Sequence, residues 1–503
     1  MTPTRGPGRG STSAHGWYGR TAPIAGSGRK HVLANELNTE QSAIDRLAAE
    51  IVDFRRSVAD LPVAPKVGPA EIREHLGRYD FAAPVPLDRL VADVGGLLRQ
   101  WSLHVTHPRY FGLFNPSTRL AGVAADSLAA LYNPQLAAWP HAPIGNEIER
   151  HLLDWLMRHF GLDPDTGLAN FTTGGQEANQ TAVTVALTHA FPEYGERGVR
   201  ALTGEPVFYV SAEAHHSFVK IAHQSGLGRE AVRSVSVDDR LRMDVDQLRR
   251  MIATDREAGA LPFLVVGTAG TTAAGAIDPL AAVAEVAQLE RLWFHVDAAW
   301  GGAAIVSPAL RSHLAGIELA DSITCDAHKW LSAPVGAGMF FTRHREPVLQ
   351  AFRVEASSYV PPAVPDTFDP YVTTIQWSRR FIGLKVFMTL AELGEAGLAA
   401  QIEHQAAMAD LLRDELRTRG WRVVNDSPLA IVCFSHPEIE AGRTTTTAVV
   451  NDVVGRGRAW ISEVRLSGNR LALRACITSY RTQPDDIGIL SDELDAAVDR
   501  LVA

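Results

Sequence analysis

The chain has 503 residues, of which 46% are hydrophobic, so it is long enough for two or three domains with a large buried core. A formal net charge of −9 lacks the basic excess that binding to a phosphate backbone requires, which excludes nucleic acid as an expected partner. No apolar run reaches membrane-spanning length, so we expect no membrane association. The three cysteines, Cys325, Cys433 and Cys476, have no C-x-x-C spacing, which predicts reduced thiols and a cytoplasmic location.

The N-terminal part of the chain is predicted to be a tail followed by helices. Residues 1–35 are rich in glycine, serine and arginine and contain no acidic residue, so we expect disorder. A transit peptide is the alternative, although the segment has no amphipathic period. Apolar residues recur at helical spacing from Asn38 to Val58, and Gly68 to Leu103 is also helix-like. We therefore predict a helical segment over residues 36–115.

The middle of the chain alternates helical patterns with short apolar strands. The predicted strands are Pro206 to Ser211, Leu261 to Thr268, Leu292 to Asp297, Ser322 to Asp326 and Gly336 to Arg343. This alternation indicates a mainly parallel sheet with helices on both faces, an α/β domain over residues 116–382. The remainder, 383–503, begins with a long helix and is predicted to be a smaller α+β domain. Its expected strands are Trp421 to Asn425, Ala430 to Ser435 and Leu471 to Thr478.

A glycine turn between a strand and a helix is a candidate phosphate site. The segment Asn170 to Asn179 turns through Gly174 and Gly175 before a helical pattern that continues to His189. The free N–H groups and positive dipole end of such a helix suit a phosphate dianion. Ordinary turn chemistry is the alternative for this segment taken alone.

An acid and a lysine follow two of the predicted strands. Asp297 ends an otherwise apolar strand, where a carboxylate needs a cationic partner, although a purely structural ion pair is the alternative. Lys329, one of five lysines in the chain, follows the next strand. An amine can form an imine, which a guanidinium cannot. We expect desolvation and neighbouring cations to lower the pKa of Lys329 and supply the neutral amine.

Five ordered motifs carry a resemblance to a known family. They are Gly174 to Asn179, Ala214-His215, Gly270-Thr-Thr272 with Asp278-Pro279, His295-Val-Asp-Ala-Ala299 and Asp326-Ala-His-Lys-Trp330. Together they resemble the group II pyridoxal-phosphate-dependent amino acid decarboxylases. The resemblance implies pyridoxal 5'-phosphate (PLP) as the cofactor and an L-amino acid as the substrate. It also implies a fold-type I PLP-dependent transferase-like fold with a seven-stranded sheet, and a homodimer with shared active sites in which the helical segment packs on the partner subunit.

The resemblance also implies roles for individual residues. Lys329 would hold the cofactor as a Schiff base and act through a quinonoid intermediate, while Asp297 would keep the pyridine nitrogen protonated. His215 would stack on the ring, and Tyr359 would protonate Cα after carbon dioxide leaves. The other cofactor-binding residues implied are Gly175, Gln176, Thr272, Ala299, Asp326, His328 and, from a second subunit, Ser378. The implied substrate-binding residues are Leu113, Phe114 and Asn115, and no metal is implied.

Some features leave the reaction and the substrate open. An aminotransferase or an aldehyde synthase could use the same cofactor, and a non-catalytic paralogue is a further alternative. Asp326 stands where the animal enzymes have asparagine, and its charge would repel a phosphate unless it is protonated or turned away. Leu113, Gln135 and Ala137 replace larger or aromatic residues of the aromatic-substrate enzymes. We therefore hypothesise that the substrate is not a catecholamine precursor. His141 is either a substrate contact or an ordinary loop histidine.

Overall fold

A computed structural model describes residues 27–115, 117–354 and 364–503, with only the backbone given for 27–39. The chain divides into two compact units. The first unit contains the residues up to Arg56 together with Gly68–Gln100, and the second contains Ser57–Val67 and Trp101–Ala503. Both predicted sheet-containing segments therefore lie within one unit.

The first unit is helical, as the sequence predicts. Its helices are α1 (Ser27–Ser57), α2 (Pro69–Leu76) and α3 (Leu87–Trp101). Helix α1 begins at Ser27, earlier than the predicted start at Asn38 and inside the segment for which we expected disorder. The Arg99 guanidinium lies 3.1 Å from Glu50 and 2.9 Å from Asp53, which links α3 to α1.

The larger sheet of the second unit has seven strands. They are β1 (Leu168–Thr172), β2 (Pro206–Ser211), β3 (Val232–Val235), β4 (Leu261–Thr268), β5 (Trp293–Asp297), β6 (Ser322–Asp326) and β7 (Gly338–Thr342). Their order is β1-β7-β6-β5-β4-β2-β3. Strand β7 is antiparallel to both of its neighbours, and the other adjacent pairs are parallel. The predicted mainly parallel sheet is confirmed.

Helices cover both faces of this sheet. The helices of this part of the chain are α4 (Leu120–Tyr132), α5 (Pro143–His159), α6 (Gly175–Ala190), α7 (Tyr194–Arg197), α8 (Ser217–Gln224), α9 (Val245–Glu257), α10 (Leu280–Glu290) and α11 (Arg345–Ala351). Side chains alternate along a strand, so Val207 and Tyr209 of β2 join one apolar cluster while Phe208 and Val210 join the other. Helices α5, α9 and α10 contribute to the first cluster, and α6, α8 and α11 contribute to the second.

A smaller antiparallel sheet follows the long helix α12 (Gly383–Thr418). Its strands are β8 (Arg422–Val423), β9 (Ile431–Ser435), β10 (Ser462–Leu466) and β11 (Arg470–Cys476), in the order β10-β11-β9-β8. The accompanying helices are α13 (Pro437–Glu440), α14 (Thr446–Arg456) and α15 (Pro484–Val502). None of the helices in the described part of the chain is long and apolar enough to cross a membrane.

Candidate active site

One edge of the large sheet gathers the chemistry-bearing residues that the sequence singles out. Because the carboxyl ends of parallel strands meet at the same edge, the residues that follow β1, β2, β4, β5 and β6 converge there. They line a single cavity, whose walls are Gly175, Gln176, Asn179, His215, Thr268, Gly270, Thr272, Asp297, Ala299, Trp300, Asp326 and Lys329. Eight of these twelve were predicted as site residues from the sequence, and the structure brings them together.

Lys329 is one of the residues that line this cavity, and it is paired with a carboxylate. Its Nζ is 2.9 Å from Oδ2 of Asp326, and 23% of the lysine side chain is exposed. Burial alone would lower the pKa of Lys329, but the charge and hydrogen bond of Asp326 outweigh it, with Asp297 adding to them, so the pKa is raised. The prediction of a lowered pKa was therefore wrong, because three residues before Lys329 the chain supplies a buried anion.

Asp297 is held in place by one hydrogen bond to each carboxylate oxygen. Asn179 Nδ2 donates to Oδ2 at 2.9 Å, and the backbone N–H of Ala299 donates to Oδ1 at 3.1 Å. The aspartate is 4% exposed. A carboxylate oxygen has more than one acceptor position, so Asp297 keeps the capacity to bind a cationic N–H group.

The hydrogen bond from Asn179 is the last of a buried chain. His295 Nε2 lies 3.0 Å from Asn179 Oδ1, and His295 Nδ1 lies 2.8 Å from Ser322 Oγ. Trp293 Nε1 donates to the same hydroxyl at 2.8 Å. Burial lowers the pKa of His295 to about 3, so the ring is neutral. One tautomer satisfies these contacts: the serine hydroxyl donates to Nδ1, and Nε2–H donates to the asparagine oxygen.

His215 forms another wall of the cavity, while His216 is not among the lining residues. The Nδ1 atom of His215 accepts a hydrogen bond from the backbone N–H of Ser217 at 3.2 Å. Burial lowers the pKa of His215, and the charge of Lys329 acts in the same direction, against the opposing effect of Asp297. A neutral imidazole with an exposed face suits stacking on an aromatic ring.

Residues at the start of α6 form part of the cavity wall. Gly175 is the first residue of α6, a sixteen-residue helix whose N-terminal N–H groups and dipole attract anions. A Cβ atom added to Gly175 would lie 2.9 Å from Oδ2 of Asp326, so the carboxylate sits against the start of this helix. His328 accepts a hydrogen bond from Ala337 N–H at 3.2 Å, and its Nε2 lies 3.9 Å from Asp326 Oδ2.

Some buried polar atoms of the cavity walls have no hydrogen-bond partner among the described residues, and they show whether the walls fit a polar cofactor. Thr268 Oγ1, Trp300 Nε1 and Asp326 Oδ1 are buried and have no hydrogen-bond partner among the described residues. Buried polar groups normally have partners, so three such atoms around one cavity indicate a site built for a polar molecule. With the anion-binding helix start and the Asp297 carboxylate, the walls fit a phosphorylated pyridine cofactor.

The three predicted substrate residues lie in different surroundings. Phe114 stacks on Trp300 with a centroid distance of 4.7 Å, and Lys329 Nζ lies 5.9 Å from the Phe114 ring centre. Leu113 is 52% exposed and Asn115 is half-buried, and none of the three predicted substrate residues is among those that line the cavity. Tyr359 lies outside the described residues.

Ser378 lines a different cavity of this chain. Its hydroxyl accepts a hydrogen bond from Gln135 Nε2 at 2.8 Å. His141, Tyr371 and Trp377 border the same cavity, which has a volume of about 280 Å³. The structure therefore does not bring Ser378 to the Lys329 of its own chain.

Sequence reasoning assigned no role to Arg474, although it lies beside the site. Its Cζ is 5.0 Å from the centre of the Phe114 ring, and its Nη1 donates to the carbonyl oxygen of Gly112 at 2.8 Å. The side chain is buried, and its Nε and Nη2 have no hydrogen-bond partner among the described residues. An arginine within the apolar strand β11 was the signal that could have found it.

In the described part of the chain, no cluster of three or more His, Cys, Asp or Glu could hold a metal ion.

The fold and this site place the chain in a class of cofactor-dependent enzymes that act on amino acids, and comparison with known proteins gives the family. Residues 72–436 match the model of the pyridoxal-dependent decarboxylase conserved domain. The chain belongs to this family of PLP-dependent amino acid decarboxylases, as the sequence motifs indicated.

Relatives within the family act on chemically different substrates. The chain is 30% identical over 393 residues to an aromatic-L-amino-acid decarboxylase of Bacillus atrophaeus, covering 76% of this chain and 80% of the relative. It is 30% identical over 414 residues to an acidic amino acid decarboxylase of Mus musculus, covering 79% and 74%. The crystal structure of Oryza sativa TDC with PLP and tryptamine has a TM-score of 0.87 at 25% identity, covering 93% and 99%. PLP is therefore the cofactor, and the family leaves the substrate side chain open.

Proposed function

We propose that Lys329 carries PLP and that the chain uses it to decarboxylate an L-amino acid to the corresponding amine and carbon dioxide. The observation that carries this proposal is the convergence of Lys329, Asp297 and His215 on one cavity at the carboxyl edge of the sheet. When bound, PLP supplies an electron sink for the charge left on Cα after a bond breaks. The chain's own residues bind the cofactor, orient it and control its protons.

Each wall of the cavity has a distinct task in this proposal. Asp297 holds a proton on the pyridine nitrogen, and the buried chain through Asn179 and His295 keeps its carboxylate oriented. His215 stacks on the ring in its neutral form. The start of α6 at Gly175 and Gln176 binds the phosphate, while Thr272 and Ala299 enclose the cofactor.

We infer which bond at the substrate Cα breaks from the resemblance to the decarboxylase family, not from the cavity. The residues around the cavity would select which of the three bonds at Cα breaks by the orientation in which they hold the substrate. We propose that Tyr359 protonates Cα after carbon dioxide leaves, which favours an amine over the keto acid of an aminotransferase or the aldehyde of an aldehyde synthase.

The substrate is proposed to present its carboxylate to a buried cation. Lys329 and Arg474 both lie close to the Phe114 ring, and two donor atoms of Arg474 have no hydrogen-bond partner among the described residues. A guanidinium is suited to bidentate carboxylate binding. We retain the hypothesis that a catecholamine precursor is not the substrate, and faster turnover of dihydroxyphenylalanine than of all other amino acids would refute it.

We also propose a cytoplasmic homodimer with shared active sites. Large apolar side chains are exposed on the helices of the first unit and around α4, which is typical of surfaces that another subunit covers. They include Ile44, Leu47, Val52, Val94, Leu98, Leu131, Tyr132 and Ile144. The three cysteines are free and buried, as expected for a reducing compartment.

Covalent mapping tests the assignment of Lys329. We expect borohydride reduction of the cofactor-loaded protein, followed by proteolysis and mass spectrometry, to find the pyridoxyl group on Lys329. Lys329→Ala should lose the visible absorption of the bound cofactor, whereas Lys220→Ala, at an exposed lysine, should retain it. A pyridoxyl group on another lysine would overturn the proposal.

A further inference from the structure

Asp326 occupies a position that conflicts with the charge of the cofactor. Its Oδ2 lies 2.9 Å from Lys329 Nζ and is the atom that a Cβ on Gly175 would meet. The carboxylate is therefore both the counter-ion of the cofactor lysine and the anion at the start of the phosphate-binding helix. The residue is only 2% exposed, so water does little to screen either interaction.

Other charged and titratable groups surround Asp326. They are Lys329 and His328 on the following turn, Cys325 on β6, Asp297 on β5 and His215 beyond β2. Burial lowers the pKa of both histidines and raises the pKa of the thiol, so all three are neutral near pH 7. Lys329 is thus the cation that balances Asp326, and Asp297 adds a second negative charge.

Cofactor binding changes the surroundings of Asp326 in two ways, and both favour the protonated form of its carboxyl group. Lys329 must give up a proton before its amine nitrogen can bond to the aldehyde carbon. A phosphate dianion must then lie at the start of α6, beside the Oδ2 atom. A buried carboxylate that loses its cation and gains an anionic neighbour is stabilised by taking up a proton. The unpartnered Oδ1 atom can carry this proton and donate it in a hydrogen bond.

We propose that Asp326 is the proton acceptor of cofactor capture: it pairs with Lys329 in the protein without cofactor and is a neutral, hydrogen-bond-donating carboxyl group in the holoenzyme. In the first step the Lys329 ammonium transfers a proton to the Asp326 carboxylate. The neutral amine then attacks the aldehyde carbon, the C–N bond forms, and the carbonyl oxygen leaves as water. This inference rests on the proposed attachment of the cofactor to Lys329.

The consequence is a cofactor affinity whose dependence on pH is set by one residue. In wild type the proton that Lys329 loses stays on Asp326, so binding exchanges no net proton with the solvent. An amide at this position cannot accept that proton, so in Asp326→Asn, which keeps the size of the side chain, the proton is released to the solvent. We expect the ratio of the wild-type cofactor dissociation constant to that of Asp326→Asn to rise about tenfold per pH unit over roughly pH 6.5 to 8.5.

Titration calorimetry of the cofactor-free protein with PLP, in buffers of different ionisation enthalpy, counts the protons directly. Wild type should take up about one more proton per bound cofactor than Asp326→Asn. Asp321→Asn, at the opposite end of β6 and outside the cavity, should match wild type. Equal proton uptake by wild type and Asp326→Asn would overturn the inference. Because covalent mapping locates the cofactor lysine independently, failure of this inference is distinguishable from failure of the Lys329 assignment.

Discussion

Asn179 connects a buried hydrogen-bond network to the Asp297 carboxylate in the cavity. It accepts from His295 and donates to Asp297, so it transmits the orientation of a buried network to the one carboxylate expected to bind the pyridine nitrogen. Hydrogen bonds to a charged group contribute roughly 1.5–3 kcal/mol. The loss of this one should therefore be visible in the rate without unfolding the chain.

Replacing the amide tests that role. Asn179→Leu keeps a similar volume and removes both hydrogen bonds, so we expect kcat to fall about 10- to 100-fold while the cofactor stays bound. The measurement is steady-state kinetics together with the visible absorption of the bound cofactor. Thr184→Val, on the same helix α6, is the control and should keep wild-type kcat. An unchanged kcat in Asn179→Leu would show that the network does not orient Asp297.

His107 makes stability depend on pH. The side chain is fully buried, and burial with the nearby charge of Arg109 lowers its pKa to about 4. The ordinary value in the unfolded chain is about 6.5. The folded state therefore binds fewer protons between these values, and the stability contribution of the neutral ring, present above about pH 6.5, is lost as the pH falls towards 4.

A variant isolates this contribution to acid denaturation. In His107→Gln, we expect the thermal midpoint to fall less steeply between about pH 6.5 and 4 than it does in wild type, because one titrating group has been removed. His313→Gln, at an exposed histidine, should leave the slope unchanged. Identical slopes for wild type and His107→Gln would contradict the buried neutral assignment.

At the residue scale, sequence reasoning found most of the site but not its network. Lys329 and Asp297 were predictable because an amine and an acid after apolar strands are unusual and match a family motif. Arg474 and the links from Asn179 to His295 were not predicted, because they join residues far apart in sequence. The direction of the Lys329 pKa shift was also missed, since it depends on a 2.9 Å distance to Asp326.

Among the elements, the loop between β4 and α10 shows how tightly the two sheets of the second unit fit together. Gly275 has φ +70°, and an added Cβ would lie 2.3 Å from Ile431 Cγ2 and 2.7 Å from Ser427 Oγ. Gly259 also has a positive φ, +82°, but has nothing within 4 Å of such an atom. A comparison of substitutions at the two glycines therefore separates the cost of backbone strain from the cost of a side-chain collision.

Alanine substitutions at these two glycines should differ in cost. Gly259→Ala pays only the strain of a left-handed alanine, roughly 1–2 kcal/mol. Gly275→Ala adds the collision with the strand β9, which typically costs a further 1–3 kcal/mol. Thermal denaturation of both variants beside wild type measures the difference. Equal midpoints would mean that the loop moves away from Ile431 without cost.

The elements themselves were predicted with uneven success. Strands β2, β4 and β6 have the predicted bounds because continuous apolar runs mark buried parallel strands. Strands β3 and β10 were not predicted, since their partly exposed sequences lack that signal. Helix α12 was predicted, although the non-helical conformation at Gly394 within it was not.

For the molecule as a whole, the proposed shared sites are testable because Ser378 and Lys329 of one chain line different cavities. Ser378→Asp would place a second anion beside the phosphate while its oxygens could still accept from Gln135. If Ser378 serves the partner's site, a dimer of one Ser378→Asp chain and one Lys329→Ala chain contains one intact site. We expect randomly mixed chains to recover about a quarter of wild-type activity. No recovery in a confirmed mixed dimer would place Ser378 outside the partner's site.

As a member of the decarboxylase family, this chain should remove carbon dioxide from an L-amino acid. To test this, the PLP-loaded protein is incubated with each L-amino acid in turn, and amine, keto acid, aldehyde and carbon dioxide are quantified. We expect at least one amino acid to give amine and carbon dioxide in equal amounts, with no product from Lys329→Ala. Keto acid or aldehyde as the main product, or no product from any amino acid, would contradict the claim.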